Sequence, residues 1–427
     1  MKLDTKKIRQ KQNWRNIYIL GITSFFNDFA SEMIYPLIPI FIKSVLGLGA
    51  QFLGIIEGIA ETTNSILKLF SGYISDRVKK RKIFVLAGYA FSNIVRPLIG
   101  LVNSWGLLLL LRFSDRVGKG IRTSPRDAMI GDSAPENRRG FAFGFHRAMD
   151  HFGAVAGSLM ASLILYAFLV DIRKVFLLSI IPGAVAVLLI LFGVKELSRI
   201  KSTGRKDLNN INQTPGNKKS TFKDKHAGQN KQILNLRDFK NLGPKFAYFL
   251  SIIFTFMLGN STDAFLLLRA SDLGIKTALI PVLWAVHHVS KSAFSLLGGY
   301  ISDKAGRKTM IISGWVVYCL TYLGFAFADN GYQIWILFVF YGLFFGFTEG
   351  VEKAFVCDLV PKENLGSAYW FYNLALGLAA LPASIIFGFI WKAINFRVAF
   401  IVGASFSLIS IIMLLFFKTS KGRIRSC

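Results

Sequence analysis

Long apolar runs alternate with short polar stretches along almost the whole chain. A helix needs about 20 residues to cross the hydrocarbon of a bilayer, and twelve stretches of that kind fit into this sequence. Several contain Gly or Pro, which membrane helices tolerate. The predicted spans lie near residues 16–43, 50–76, 82–103, 105–128, 141–168, 174–196, 243–268, 277–303, 308–328, 332–358, 364–391 and 396–418. The pattern predicts an all-α polytopic membrane protein with twelve transmembrane helices.

A polar segment at residues 197–242 separates the first six spans from the last six. It is rich in Lys, Asn, Gln, Ser and Gly, and a segment of that composition cannot bury a core of its own. We therefore expect a flexible linker between two six-helix bundles. The expected organisation is a basic tail at 1–15, a bundle at 16–196, the linker at 197–242, a second bundle at 243–418 and a tail at 419–427.

The two halves of the chain carry related sequences. SGYISDRVKKR at residues 71–81 is echoed by GGYISDKAGRK at 298–308, and GDSAPENRRG around Asp132 is echoed by CDLVPKENLG around Asp358. Both echoes lie 226 or 227 residues apart. Six spans, a linker and six related spans are typical of transporters built from parallel repeats. We therefore expect two pseudo-symmetric bundles.

The distribution of Lys and Arg predicts the orientation of the chain in the membrane. The N-terminal tail, the loops near 77–82, 135–139 and 304–308, the linker and the C-terminal tail hold 31 of these residues, whereas the opposite loops hold seven. Because basic loops stay on the cytoplasmic side, both termini and the linker are expected in the cytoplasm. The Lys- and Asn-rich polar segments favour a bacterial cytoplasmic (inner) membrane.

Composition narrows the class of protein further. The chain is 53% hydrophobic with a mean hydropathy of +0.46, which is too apolar for a soluble protein of this length. The net charge of +27 does not indicate nucleic-acid binding, because the basic residues lie in short stretches between apolar runs. The cysteines lack the spacing of a metal site, and no P-loop, nucleotide fingerprint, HExxH or serine elbow occurs. We expect neither an enzyme nor a bound cofactor or metal.

One face of the fourth predicted span is charged. Seven polar residues follow one another at short intervals and fall within an arc of about 120° on a helix. They are Arg112, Asp115, Arg116, Lys119, Arg122, Thr123 and Arg126. A lone helix cannot expose so many charges to hydrocarbon, so this face is expected to line a polar cavity inside the bundle.

Ionisable residues on other spans are expected to share that cavity. Intramembrane ionisable groups by default mark the path of a substrate or of protons. The predicted substrate-binding set is Arg112, Asp115, Arg116, Lys119, Arg147, Glu57, Glu61, Lys291 and Glu349. The alternative is that these groups neutralise one another and have only a structural role.

Proton coupling requires a carboxylate whose protonation changes with conformation. The candidates are Glu32, Asp263, Asp28 and Asp115. Glu32 and Asp263 are favoured, because Ser31 and Thr262 precede them at matching places in the first span of each half.

The loop after the second span resembles the signature of the major facilitator superfamily, G-x-x-x-D-R-x-G-R-R/K. The matching positions are Gly72, Asp76 and Arg77 in the first copy and Gly299, Asp303, Gly306 and Arg307 in the second. Lys79 stands where the family has Gly. The resemblance covers essentially the whole chain and implies a monomer that works by alternating access. In the family this loop makes charge contacts that hold the outward-facing state, so the resemblance implies a conformational-switch role for these seven residues.

These observations together indicate a secondary active transporter that is coupled to protons. Many cavity-facing cations favour a small anionic or zwitterionic solute, because Arg binds carboxylate and phosphate with two parallel hydrogen bonds. Examples are an organic acid, a phosphorylated metabolite and a carboxylate-type metal chelate. The expected partners are the lipid bilayer, the solute and protons, and not nucleic acid.

Two alternatives stay open. One is a multidrug efflux antiporter for lipophilic compounds, although HFGAVAGS at 151–158 stands where the superfamily's antiporters have a Gly-Pro pair. The other is a membrane sensor or scaffold that binds a ligand without moving it, for which the long basic linker would provide a contact surface.

Overall fold

A computed structural model describes residues 14–78, 80–135, 138–196, 239 and 241–417. The predicted tails and the predicted linker fall almost entirely outside the described residues. The side chains of Asp76, Arg77 and Asp303 are not described either.

The described chain is helical and forms twelve spans. The first six are Trp14–Glu32, Ala50–Val78, Arg81–Leu98, Trp105–Ser133, Arg139–Ala167, and the consecutive helices Ile172–Leu178 and Ile180–Leu188. The last six are the consecutive helices Gly243–Gly259 and Ala264–Asp272, then Ile280–Ala305, Arg307–Phe327, Gly331–Leu359, Leu365–Ala393 and Phe396–Leu415. The prediction of twelve helices in two halves is therefore confirmed.

Eight of these spans are apolar enough to cross a membrane by length and composition alone. The other four are the first, second, fourth and eighth, which carry acidic, basic or His residues in their membrane-embedded parts. Polar residues inside a membrane are tolerated where they face the bundle interior or a cavity. The positions of these four less apolar spans therefore predict where the cavity lies.

The first span of each half is interrupted. The helix Trp14–Glu32 ends at a turn, after which the 3₁₀ helix Tyr35–Leu37 begins with Pro36 in its first turn. The seventh span breaks between Gly259 and Ala264. Because interrupted membrane helices leave backbone groups that only a cavity or protein can satisfy, both breaks face the bundle interior. Glu32 and Asp263 lie at the two breaks.

Glycines allow close packing between helices. A Cβ atom on Gly157 of the fifth span would lie 2.2 Å from the carbonyl oxygen of Phe29 on the first span. Between the halves, a Cβ atom on Gly54 of the second span would lie 2.2 Å from the carbonyl oxygen of Ser384 on the eleventh. Only Gly fits such contacts, as is common where membrane helices meet.

The contacts between the halves lie at the side opposite the basic loops and at mid-depth. Lys43 forms an ion pair with Asp272 at the outer end. Deeper in the membrane, the Thr62 hydroxyl donates to the carbonyl oxygen of Gly377 (2.8 Å). Toward the basic loops, the side chains of Arg147 and Lys353 are 63% and 44% exposed. Among the described residues, the halves are therefore joined at the end opposite the basic loops and at mid-depth, and exposed charged side chains lie toward the other end.

The interiors of the two halves differ in chemistry. The C-terminal half is filled with aromatic rings; Phe256 stacks on Trp315 with ring centroids 4.7 Å apart, and Tyr318 stacks on Tyr322 at 4.1 Å. The N-terminal half instead buries Arg112 and Glu57, which are 3% and 0% exposed. The charged part of the candidate site therefore belongs to the N-terminal half.

Candidate functional site

A cavity of about 460 Å³ lies between the two halves. Its size is typical of sites for small molecules. The N-terminal wall carries the lining charges Asp28, Glu32, Glu61, Arg96, Arg112, Asp115, Arg116, Lys119 and Arg122. The opposite wall contains Asp263 and Lys291 among mostly uncharged residues. Five of the seven residues of the charged face on the fourth span thus line the cavity, whereas Thr123 and Arg126 lie outside its lining.

Arg112 and Glu57 form a bidentate ion pair in the cavity wall. Arg112 Nε donates to Glu57 Oε1 at 2.8 Å, and Arg112 Nη2 donates to Oε2 at 2.7 Å. Two parallel hydrogen bonds of this kind fix both side chains in position. Arg112 therefore has its charge compensated before any solute binds.

Asp115 lies at the centre of further ion pairs. It accepts from Arg96 Nε at 2.7 Å and lies 3.7 Å from nitrogen atoms of both Arg112 and Arg116. Arg116 in turn binds Glu61 at 2.8 Å. Three arginines and three carboxylates thus neutralise one another, which is the condition for burying charge at tolerable cost.

Arg96 was not among the site residues predicted from the sequence. This residue of the third span is 2% exposed, and Nη1 donates to Asn27 Oδ1 at 3.0 Å and to Asn93 Oδ1 at 3.3 Å. The only signal for Arg96 in the sequence is its spacing of three residues from Asn93, which places the side chains of Asn93 and Arg96 on one helix face. Arg96 thus connects the first, third and fourth spans.

Lys119 and Arg122 differ from the other lining cations. Within the described residues, neither has a carboxylate at ion-pair distance, whereas Lys291 lies 3.0 Å from Glu349. Arg122 is 2% exposed, and its Nε and Nη1 atoms have no hydrogen-bond partner. Its guanidinium instead lies 4.2 Å from the ring centroid of Tyr89. Buried donors without acceptors are costly, so a ligand that supplies acceptors here would be bound favourably.

Three lining carboxylates are held by neutral donors. Glu32 accepts from Trp284 Nε1 of the other half at 2.8 Å, and His288 Nε2 lies 4.0 Å from the same oxygen. Asp263 accepts from the Tyr341 hydroxyl at 2.5 Å. Asp28 accepts from Asn27 Nδ2 at 2.8 Å. Because no Lys or Arg pairs directly with them in the described part, these carboxylates can change protonation without breaking an ion pair.

The remaining predicted site residues are distributed unevenly. Among the substrate-binding candidates, Arg112, Asp115, Arg116, Lys119, Glu61 and Lys291 line the cavity, whereas Glu57, Arg147 and Glu349 lie outside its lining. All four proton-coupling candidates line it. Asp115 differs from the other three because arginines surround it. No group of three potential metal ligands was found in the described residues.

The predicted switch loops lie at the end of the molecule that carries the basic loops. Arg307 begins the ninth span and binds Asp358 at the end of the tenth at 2.7 Å. Gly306 precedes it with φ = +87°, a conformation that favours Gly. In the other half, Arg81 forms the corresponding ion pair with Asp132. Gly72 and Gly299 lie within the second and eighth helices.

Comparison with known proteins gives the family. Residues 20–287 and 246–426 match the Major Facilitator Superfamily. An uncharacterised transporter of that superfamily from Methanocaldococcus jannaschii is 35% identical over 408 residues, which cover 94% of each chain.

Two more distant relatives have names that refer to different solutes. A cis,cis-muconate transport protein of Acinetobacter baylyi is 24% identical over 95% of this chain and 94% of its own length. A homologue of a multidrug resistance efflux pump in Lactococcus lactis is 23% identical over 94% of each chain. These names differ too much to assign a solute. The chain belongs to the major facilitator superfamily and is a membrane transporter rather than an enzyme.

Proposed function

We propose that this secondary transporter moves a small anionic or zwitterionic solute together with protons. The single observation that carries the proposal is the state of Lys119 and Arg122. They are the lining cations without a paired carboxylate in the described part of the chain. A carboxylate or phosphate group would supply the missing hydrogen-bond acceptors.

Charge balance supports proton coupling. The N-terminal wall and the Glu57 carboxylate behind it hold five cations and five carboxylates, which are Arg96, Arg112, Arg116, Lys119, Arg122, Asp28, Glu32, Glu57, Glu61 and Asp115. With all of them ionised the set is neutral, so a bound anion adds an uncompensated negative charge. Such a charge is costly in a poorly solvated site. A proton on Glu32 or Asp28 removes the cost, so anion and proton bind more tightly together than separately.

This mechanism gives the two kinds of residue different roles. Lys119 and Arg122 bind the anionic group, and the paired arginines hold the wall in shape. Glu32 carries the proton at the contact between halves, because its partner Trp284 belongs to the eighth span. Alternating access then exposes the loaded cavity to the other side of the membrane.

We further propose that the end of the molecule that carries the basic loops faces the cytoplasm. The excess of Lys and Arg in the tails, in the linker at 197–242 and in the adjoining loops supports this orientation. The same proposal includes bundles at 16–196 and 243–418, a location in a bacterial inner membrane and a monomeric state.

The experiment is a thermal-stability assay of the purified protein with small organic anions and with lipophilic cations, each at acidic and neutral pH. A ligand of the folded state raises its stability by mass action. We expect stabilisation by an anion, stronger at acidic pH and lost in Arg122→Gln. Lys276→Gln, which removes an exposed loop cation, is the matched control. Stabilisation by bulky cations alone would instead favour drug efflux.

Flux measurements separate transport of the solute from binding alone. Proteoliposomes with an imposed proton gradient should accumulate an anion that stabilises the protein, without added nucleotide. Binding without any flux under a gradient of either direction would instead support the sensor or scaffold alternative.

A further inference from the structure

The two walls of the cavity differ in what they offer a solute. Most polar groups of the C-terminal wall are already bound to partners: Lys291 to Glu349 at 3.0 Å, and Asp263 to Tyr341 at 2.5 Å. The Ser384 hydroxyl likewise accepts from the backbone N–H of Thr262 at 3.2 Å.

Among the described residues, Asn260 Oδ1 and the two ring nitrogens of His288 have no hydrogen-bond partner in this wall, and beside them it offers apolar surface. Met257 of the seventh span, Phe345 of the tenth and Leu376 and Ala380 of the eleventh line the cavity and are partly exposed. They come from three spans of one half, and Lys291 Nζ lies 4.1 Å from the ring centroid of Phe345. We call these four residues the apolar wall. It lies across the cavity from Lys119 and Arg122 on the charged wall.

We infer that the solute is an amphipathic anion, with one anionic group joined to an apolar body such as an alkyl chain or an aromatic ring. The inference rests on the proposed function, in which Lys119 and Arg122 bind the anionic group. The apolar body then covers the apolar wall, so one molecule contacts both halves at once. A compact, fully polar anion would leave that wall in contact with water.

Contact with the apolar wall should make the Kd depend on the length of the apolar body. Burying one methylene contributes about 0.8 kcal/mol, which corresponds to roughly a fourfold decrease in Kd for each methylene added. In a series of carboxylates the anionic group stays constant while the body grows. The slope of log Kd against chain length therefore measures contact with the apolar wall, and the affinity of the shortest member measures the cationic site.

The experiment measures Kd for acetate, propionate, butyrate, pentanoate, hexanoate and benzoate with the full chain in lipid nanodiscs. We expect roughly a three- to fourfold decrease per methylene and tighter binding of benzoate than of butyrate. Leu376→Asn and Met257→Gln should flatten the slope, weakening hexanoate more than acetate. Arg122→Gln should weaken every member by a similar factor and preserve the slope.

The control is Leu378→Asn, which places the same polar group on the same span at a position that is 48% exposed. It should keep the slope of the unmodified protein. A slope that survives both Leu376→Asn and Met257→Gln would reflect partition into lipid and overturn the inference. A flat slope with intact acetate binding would also overturn it while leaving the proposed function standing. If no carboxylate binds at all, the proposed function itself fails.

Discussion

Arg112 of the fourth span and Glu57 of the second are joined by two hydrogen bonds of 2.8 and 2.7 Å and are almost completely buried. The pair holds two helices of the N-terminal half together and forms part of the cavity wall. It explains how a strongly charged helix can lie inside a membrane. Because Glu57 already binds the Arg112 guanidinium with two hydrogen bonds, we expect Arg112 to stabilise the helix pair rather than to bind the solute.

Breaking this pair should destabilise the protein strongly. Glu57→Met or Arg112→Met alone removes the partner that makes both short hydrogen bonds to the remaining buried charge, and breaking a buried pair in this way costs about 3–5 kcal/mol. The double variant removes both charges and should recover most of the loss. Thermal or denaturant unfolding of the three variants in detergent measures this. A double variant as unstable as the single ones would show that the pair is not the main interaction of these side chains.

Glu352 is a second buried carboxylate, and it lies in the aromatic half. It accepts from Trp315 Nε1 at 3.1 Å and from the Tyr372 hydroxyl at 2.8 Å, and so joins the ninth, tenth and eleventh spans. Glu352→Ala should cost about 2–6 kcal/mol, because it leaves two buried donors without an acceptor and each costs about 1–3 kcal/mol. Glu352→Gln keeps an acceptor and should cost less. Equal unfolding midpoints for the two variants would contradict this role.

The sequence predicted the architecture because its signals are local. Apolar length predicts a span, and the step of three and four residues in the fourth span predicts a charged face. The repeat also gave a correct relation between distant residues: Asp132 and Asp358, matched at a spacing of 226, both form ion pairs with the Arg that begins the third or the ninth span.

The roles of individual charges were less predictable. Arg112 and Lys119 lie on the same helix face, yet within the described part of the chain Arg112 has a paired carboxylate and Lys119 has none. The difference depends on the second span, because its residue Glu57 contacts Arg112. The two residues are 55 positions apart in the sequence. Helical spacing contains no information about that contact. Arg96 was missed for a related reason, since an isolated Arg in an apolar span has no periodic pattern.

Glu32→Gln should separate solute exchange from proton-driven accumulation. The amide oxygen can still accept from Trp284 Nε1, so the contact between the halves is retained, but the side chain no longer binds a proton. We expect solute exchange between equal concentrations to continue while accumulation driven by a proton gradient is lost. Uptake into proteoliposomes with and without a pH gradient measures both. The control is Glu363→Gln, which replaces an exposed carboxylate. Unchanged accumulation in Glu32→Gln would show that a residue other than Glu32 carries the proton.

The ion pair between Lys43 and Asp272 joins the two halves at the outer end, and its side chains are 49% and 22% exposed. Exposed pairs contribute about 0–1 kcal/mol, so Lys43→Gln should increase the population that is open to the outside by at most about fivefold. The readout is the labelling rate of Ala50→Cys by a membrane-impermeant maleimide, in a background without the native cysteines. Lys276→Gln removes a nearby loop charge without breaking the pair and should label at the original rate. High salt should abolish the difference, because it screens exposed charges. Equal rates for Lys43→Gln and Lys276→Gln at low salt would mean that the outer closure depends on the helix contacts at Gly54 and not on this pair.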